Sequence, residues 1–267
     1  METQALKLAV QDEMIAEARD IIDQARARGV VLRLYGGLAV RAYCDVIGFC
    51  ARDYSDFDMI GLKTQRRQLR ELFADLGFTE ELHVAQATMS AQLQFVRPCV
   101  HAEGDARAHP DDHVDVFLDT FKMGHQIDLK DRLTLDDYTI SVTDQLLTKL
   151  QVVELEEKDV RDALTLLKDV ELADDEGPGR IGAASIALRC ATDWGLYHDV
   201  ERNLGRCTEQ LDGYRLTTAE TARIRSGIAR LQSALEAAPK PLRWRARARV
   251  GERAPWHASV EDQDIGG

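Results

Sequence analysis

The chain has 267 residues, 45% of them hydrophobic, enough to close one large core or two modest ones. Its 46 Asp and Glu against 34 Lys and Arg give a net charge of −12, which argues against a broad electrostatic attraction to nucleic acid while leaving room for a local basic groove. No run approaches the ~18 to 20 uncharged apolar residues of a membrane helix, and acids occupy the opening METQALKLAVQDEM where a secretory signal has its apolar centre, so a cytoplasmic protein is expected. The five cysteines, Cys44, Cys50, Cys99, Cys190 and Cys207, are odd in number and widely spaced, which predicts reduced, mostly buried thiols.

From about Ala5 to Arg28, apolar positions such as Leu8, Ile15, Ala18, Ile21, Ile22 and Ala25 recur at helical spacing, and Gly29 supplies a stop. The branched run Val30 to Tyr35 is cut off by Gly36-Gly37, after which Leu38 to Tyr43 regains helix-forming character: strand, glycine turn, helix. Phe57 to Leu62 reads as a second strand, and Gln65 to Leu76 as a charged surface helix ended by Gly77. Ala91 to Val96 is a third strand closed by Pro98, and His113 to Leu118 a fourth.

Beyond Val142 the pattern turns helical, with Leu146, Leu147, Leu150, Val153, Val160, Ala163, Leu164 and Leu167 in register and no strand candidate. Asp174 to Gly179 is a loop by its turn residues, with helices expected at Ile181–Thr192, Leu196–Leu211 and Thr218–Ala237. Residues 240–267 hold six Lys or Arg and four acids, a local +2 against −14 for the rest; with few apolar anchors they predict a flexible tail whose removal leaves the fold intact. The division expected is a catalytic domain at 1–140, a helical domain at 141–239 and the tail.

The chemistry concentrates in Tyr35-Gly36-Gly37-Leu38 and, beginning eighteen positions beyond Leu38, in Asp56-Phe57-Asp58-Met59-Ile60. In a strand, side chains two apart share a face, so Asp56 and Asp58 project together while Phe57 and Met59 turn into the core. Converging carboxylates repel unless a cation neutralises them, and all-oxygen ligands suit Mg²⁺ or Mn²⁺. A side-chain-free turn at a helix start lets backbone N–H groups approach a phosphate. In His113-Val114-Asp115-Val116-Phe117, Asp115 interrupts an apolar strand and supplies a third carboxylate if the two strands are neighbours. With 46 acids, roughly eight acid-x-acid pairs arise by chance, so the order of the three parts carries the signal rather than any one of them.

The stretches GGLAV, RDYSDFDMIGL and HVDVFLD together resemble the signature of the polymerase-β-like nucleotidyltransferases. The resemblance covers about residues 30 to 168. It implies an α+β fold, a mixed sheet with flanking helices followed by a helical C-terminal region, and transfer of a nucleoside monophosphate from a nucleoside triphosphate with release of pyrophosphate. By position, Gly36 and Gly37 would hold the triphosphate, ATP being the expected donor. Asp56 and Asp58 would bind two metal ions, Mg²⁺ or Mn²⁺, and Asp115 would serve as ligand to one of them or as general base. The segment Thr143 to Gln151, followed by Lys158 to Ala163, resembles a stretch common in the smaller relatives, which include stand-alone transferases, antibiotic-modifying nucleotidyltransferases and the toxins of abortive-infection systems. It implies that Lys149 contacts phosphate and that Asp162 supports the site; against this stands a solvated lysine whose removal costs within about 0.5 kcal/mol.

The acceptor is not legible: a small molecule, an RNA or a protein side chain would each fit. Two further readings share these residues, a toxin of a two-gene defence system and a binding module without turnover. The seven histidines show no H-E-x-x-H spacing and there is no G-x-S-x-G, which leaves zinc hydrolase and serine hydrolase readings unsupported. Residues Arg243 to Arg249, with Trp244 among alternating arginines, could bind RNA by charge and stacking, against the plainer reading of a solvated tail.

Overall fold

The structure is a computed structural model that describes residues 2–45, 49, 54, 56–83, 91–98 and 111–257. The chain divides into two compact units, one of Met1–Ala42, Val46–Phe121 and Ile127–Ile140, the other of Tyr43–Asp45, Lys122–Gln126 and Ser141–Gly267.

In the first unit, helix α1 (Glu2–Ala27) forms where the apolar spacing predicts it, and Met14, Ala18, Ile21, Ile22 and Ala25 are all buried along one stripe. Gly29, at φ +70°, ends it in a left-handed turn in which the Val30 N–H donates to the Ala25 carbonyl. Strand β1 (Leu32–Leu34) leads through Tyr35 into the short helix α2 (Gly36–Arg41), so the two glycines are that helix's first residues. Strand β2 (Asp56–Gly61), helix α3 (Arg66–Asp75), strands β3 (Thr79–Glu80) and β4 (Gln92–Pro98), and strand β5 (Asp111–Leu118) follow.

The sheet order is β1-β2-β5-β4-β3, with β2 parallel to β5 and the other pairs antiparallel. This is the mixed sheet expected, with one unforeseen edge strand, β3, whose two residues are too few to show any alternation. One sheet face is apolar: Phe57, Met59, Leu93, Phe95, Val114 and Val116 are at most 1% exposed and share a core with the buried stripe of α1 and with Leu69, Leu72 and Phe73 of α3. Phe73 stacks on Phe95 with ring centres 4.4 Å apart. Fully burying six such side chains is worth on the order of 10 kcal/mol in transfer free energy, so the register that puts them inward is strongly fixed.

The second unit is mainly helical, with α4 (Val142–Leu150), α5 (Glu157–Asp169), α6 (Ala183–Cys190), α7 (Trp194–Gln210), α8 (Thr218–Ala237) and α9 (Leu242–Val250). Ser141 caps α4, Asp193 caps α7, and Thr217 with Glu220 forms a reciprocal capping box on α8. Two sequence expectations need correction here. Glu171–Ala173 and Arg180–Gly182 pair as short parallel strands around the loop, and three residues apiece give no period to read. The segment expected to be a flexible tail contains α9, held by its tryptophans. The Trp244 indole N–H donates to the Cys190 carbonyl (3.2 Å), its ring meets Tyr197 edge-on, and Trp256 donates to the buried Asp199 carboxylate at 3.0 Å. Counting apolar residues underweighted indoles, which combine a large packing area with a donor.

Cys190 and Cys207 are free and buried, burial pushing both thiols up to about 12. Cys44 is disulfide-bonded, against the expectation of reduced thiols throughout, because spacing along the chain says nothing of proximity in space. Cys50 and Cys99 lie outside the described residues. Among the described residues no helix is long and apolar enough to cross a membrane.

Candidate functional site

The sheet face opposite the core carries the polar residues, because inward Phe57, Met59, Val114 and Val116 force their neighbours outward. In the parallel pairing of β2 with β5, Asp56 lies opposite His113 and Asp58 opposite Asp115. The two aspartates that the sequence places 57 positions apart are thus neighbours across one strand spacing, about 4.8 Å. Asp56 shares their face one pleat repeat away and is exposed, while Asp58 and Asp115 are partly buried.

Asp115 is held from the other side by β4, where Gln94 sits opposite it. The amides of Gln92 and Gln94 both donate to its Oδ1, each at 3.1 Å. Burial raises the Asp115 carboxyl above its ordinary range, the two amides pull it down, and the charge of Asp56 pushes it up again. A carboxylate in this balance gains most from a cation, which removes the repulsion without disturbing the amide bonds.

Gly36 closes the site on the β1 side. It adopts φ +76°, and a Cβ placed on it would stand 2.1 Å from Oδ2 of Asp58 and 2.9 Å from its Cγ. Only glycine lets the backbone lie directly against that carboxylate. The preceding residue ties the two elements together, its Tyr35 N–H donating to the Asp58 carbonyl at 2.9 Å. The Tyr35 ring is buried edge-on against Phe117 and Phe121. Its phenol is pushed well above its ordinary value, by burial first and then by Asp58 and Asp115, and so remains a neutral O–H. Gly37 is buried as the second residue of α2.

Among the described residues no three His, Cys, Asp or Glu side chains form a ready cage for one ion. The donor set is that of a hard-cation site completed by its ligand: Mg²⁺ is commonly held by one or two carboxylates together with substrate phosphates and water. Asp58 and Asp115 fit that pattern, with Asp56 at the exposed rim.

Lys149 and Asp162 belong to the second unit. The Lys149 ammonium lies 2.9 Å from Asp162 and 3.6 Å from Asp159, all three side chains being at most 12% exposed. Burial raises the Asp159 carboxyl, Lys149 lowers it, and Asp162 raises it. Lys149 is therefore a mostly enclosed ion-pair partner of two buried acids rather than a solvated helix lysine.

Sequence reasoning did not single out Tyr35, Gln92 or Gln94. The alternation Gln92-Leu93-Gln94-Phe95 was a usable signal, since two amides on one strand face opposite an aspartate-bearing strand have no packing reason to be there.

No protein-family model and no curated protein matches the chain. One solved structure, the solution structure of the antibiotic-resistance factor ANT(2'')-Ia, aligns over 58% of this chain and 83% of its own, at 12% identity and a TM-score of 0.37.

Proposed function

We propose that the chain is a metal-dependent nucleotidyltransferase of the polymerase-β-like kind, transferring a nucleoside monophosphate from a nucleoside triphosphate, ATP first among the donors, to an acceptor oxygen. The observation that carries this reading is the meeting of Asp58 and Asp115 across parallel strands with Gly36 pressed against Asp58. Two facing carboxylates and a backbone free of side chains put a cation site beside a place where phosphate oxygens can reach N–H groups. Bound there, Mg²⁺ or Mn²⁺, as one ion or two, would neutralise the triphosphate and stabilise charge on the attacking and leaving oxygens.

The chain's own groups divide the remaining work. Asp58 and Asp56 would hold the cation on the side of the donor phosphates. Asp115, whose carboxyl is raised by burial, is suited to take the acceptor proton or to serve as the shared ligand. Gln92 and Gln94 fix its Oδ1 and leave Oδ2 to the site. Tyr35 stays protonated and apolar in its packing, which keeps water from that side of the pair. A phosphate role for Lys149 would require its ammonium to exchange Asp162 for a phosphate oxygen. The acceptor is a hydroxyl of a small molecule, an RNA end or a protein side chain.

The test is incubation of the pure protein with labelled nucleoside triphosphates, Mg²⁺ and a mixed pool of acceptors, with pyrophosphate release as the readout. Asp58→Asn should leave the protein folded and reduce transfer by about 10² to 10³-fold, since an amide cannot replace the carboxylate's charge at the cation. Near-native turnover in that variant, or no pyrophosphate release by the unaltered protein, would sink the reading.

A further inference from the structure

The second unit carries a concentration of unpaired positive charge that the reaction above does not use. From Lys240 to Gly251 there are five Lys or Arg and no acid, in a chain of net charge −12. Four of these five are the arginines of α9, Arg243, Arg245, Arg247 and Arg249, and Arg253 follows in the next turn. Like charges one helical turn apart, as in Arg243 with Arg247 and Arg245 with Arg249, disfavour the helix they sit on, and the two nearest its start also oppose its dipole.

Two of the six cations hold the segment in place. Lys240 donates to the carbonyls of Leu235 and Glu236 at the end of α8. Arg247 donates to the carbonyls of Gly251 and Ala254, and its guanidinium lies 4.5 Å above the centre of the Trp194 ring. The other four, Arg243, Arg245, Arg249 and Arg253, are exposed and have no ion pair or side-chain hydrogen bond among the described residues. A charge pattern unfavourable in isolation, on a helix anchored by its other side chains, is one that an external polyanion relieves.

Beside α9 lies an open cavity of about 590 Å³, lined by Lys122, His125, Arg243 and all three tryptophans of the chain, Trp194, Trp244 and Trp256. Asp193 also borders it, its carboxylate turned to the start of α7, where it accepts from the Gly195 and Leu196 N–H groups. The three indoles are each partly exposed, and because Trp194 stacks on His198 with ring centres 4.9 Å apart and carries Arg247 over its ring, stacking on a base falls to Trp244 and Trp256. Guanidinium groups along an exposed helix next to aromatic rings make the combination that binds single-stranded nucleic acid without sequence preference, arginines taking phosphates and rings the base faces. We infer that α9, Arg253 and the tryptophan cavity form a docking surface for single-stranded nucleic acid, separate in its residues from the aspartate site and independent of the nucleotidyl-transfer reading.

The chain's three tryptophans all lie at this surface, so tryptophan emission, excited selectively over its six tyrosines, reports on it alone. The experiment titrates the full-length protein with a single-stranded oligoribonucleotide of about ten residues, following tryptophan emission and, with a labelled strand, anisotropy at several salt concentrations. With four phosphate contacts the logarithm of the binding constant should fall against the logarithm of salt with a slope of about −3. The variant carrying Arg243→Gln, Arg245→Gln, Arg249→Gln and Arg253→Gln should bind at least about tenfold more weakly with a slope near zero, while its far-ultraviolet dichroism is unchanged. Absent binding, a flat salt dependence in the unaltered protein, or a variant that binds as well would each overturn the inference. A free mononucleotide that matches the strand would show a small-ligand pocket instead, and polyglutamate that binds as tightly would show a surface for acidic proteins; either result also overturns it.

Discussion

Gly36→Ala tests the geometry of the aspartate site most directly, because its cost can be worked from contacts. At φ +76° an alanine carries left-handed strain of about 1 to 2 kcal/mol. Its methyl would also stand 2.1 Å from Asp58 Oδ2, so the carboxylate must swing off its rotamer, adding about 1 kcal/mol. The expected total is about 2 to 3 kcal/mol, or roughly 5 to 10 °C in melting temperature for a chain of this size. Gly29→Ala is the control: it has a similar φ of +70° but nothing within 4 Å, so it carries the strain alone. Calorimetric melting of both variants, of Asp58→Ala, and of Gly36→Ala combined with Asp58→Ala completes a double-mutant cycle. Removing the Asp58 carboxylate leaves only its Cβ, 3.0 Å away, so the excess over Gly29→Ala should shrink by about 1 kcal/mol. Pyrophosphate release by Gly36→Ala should fall as steeply as in Asp58→Asn, since the same carboxylate is displaced. A Gly36→Ala protein no less stable than Gly29→Ala and still active would refute the placement of Gly36 against Asp58.

Asp115→Asn should stabilise the metal-free protein at neutral pH. The folded-state carboxyl is raised by burial, so its charge disfavours folding as pH rises above the ordinary carboxylate range near ~4, and the advantage of the amide should fade on acidification into that range. Melting curves at several pH values check this, and a pH-independent difference would contradict it. Lys149→Ala should cost about 3 kcal/mol, well beyond what a solvated lysine contributes, because it strands two buried carboxylates. Denaturant unfolding should show much of that recovered when Asp162→Asn is added, and no recovery would argue against the ion pair. Deleting residues 241–267 should lower the melting temperature by about 5 °C or more. It removes two packed tryptophans and one donor to Asp199, which is 0% exposed, and an unchanged melt would return the segment to a free tail.

The apolar sheet face and the α1 stripe were legible in the sequence, because period 2 and period 3.6 are imposed by backbone geometry and every inward position follows once one is fixed. The same alternation put Asp56 and Asp58 on one face and marked Asp115 as a polar residue in an apolar strand. What alternation cannot give is strand order. That β2 lies parallel beside β5, rather than beside β4, is a property of the assembled sheet, and only that pairing sets Asp58 opposite Asp115. The Gln92 and Gln94 amides on Asp115 and the contact of Gly36 with Asp58 follow from it in turn. Lys149 and α9 show the same division. The sequence determined that both lie in helices or a basic segment; that the lysine pairs with two acids of the next helix, and that the tryptophans of α9 and the residues after it reach a carbonyl and a buried carboxylate more than fifty residues back, is decided by packing. Local propensity fixes which residues share a face, whereas the free energy that brings two faces together is summed over the whole core, so no single segment records it.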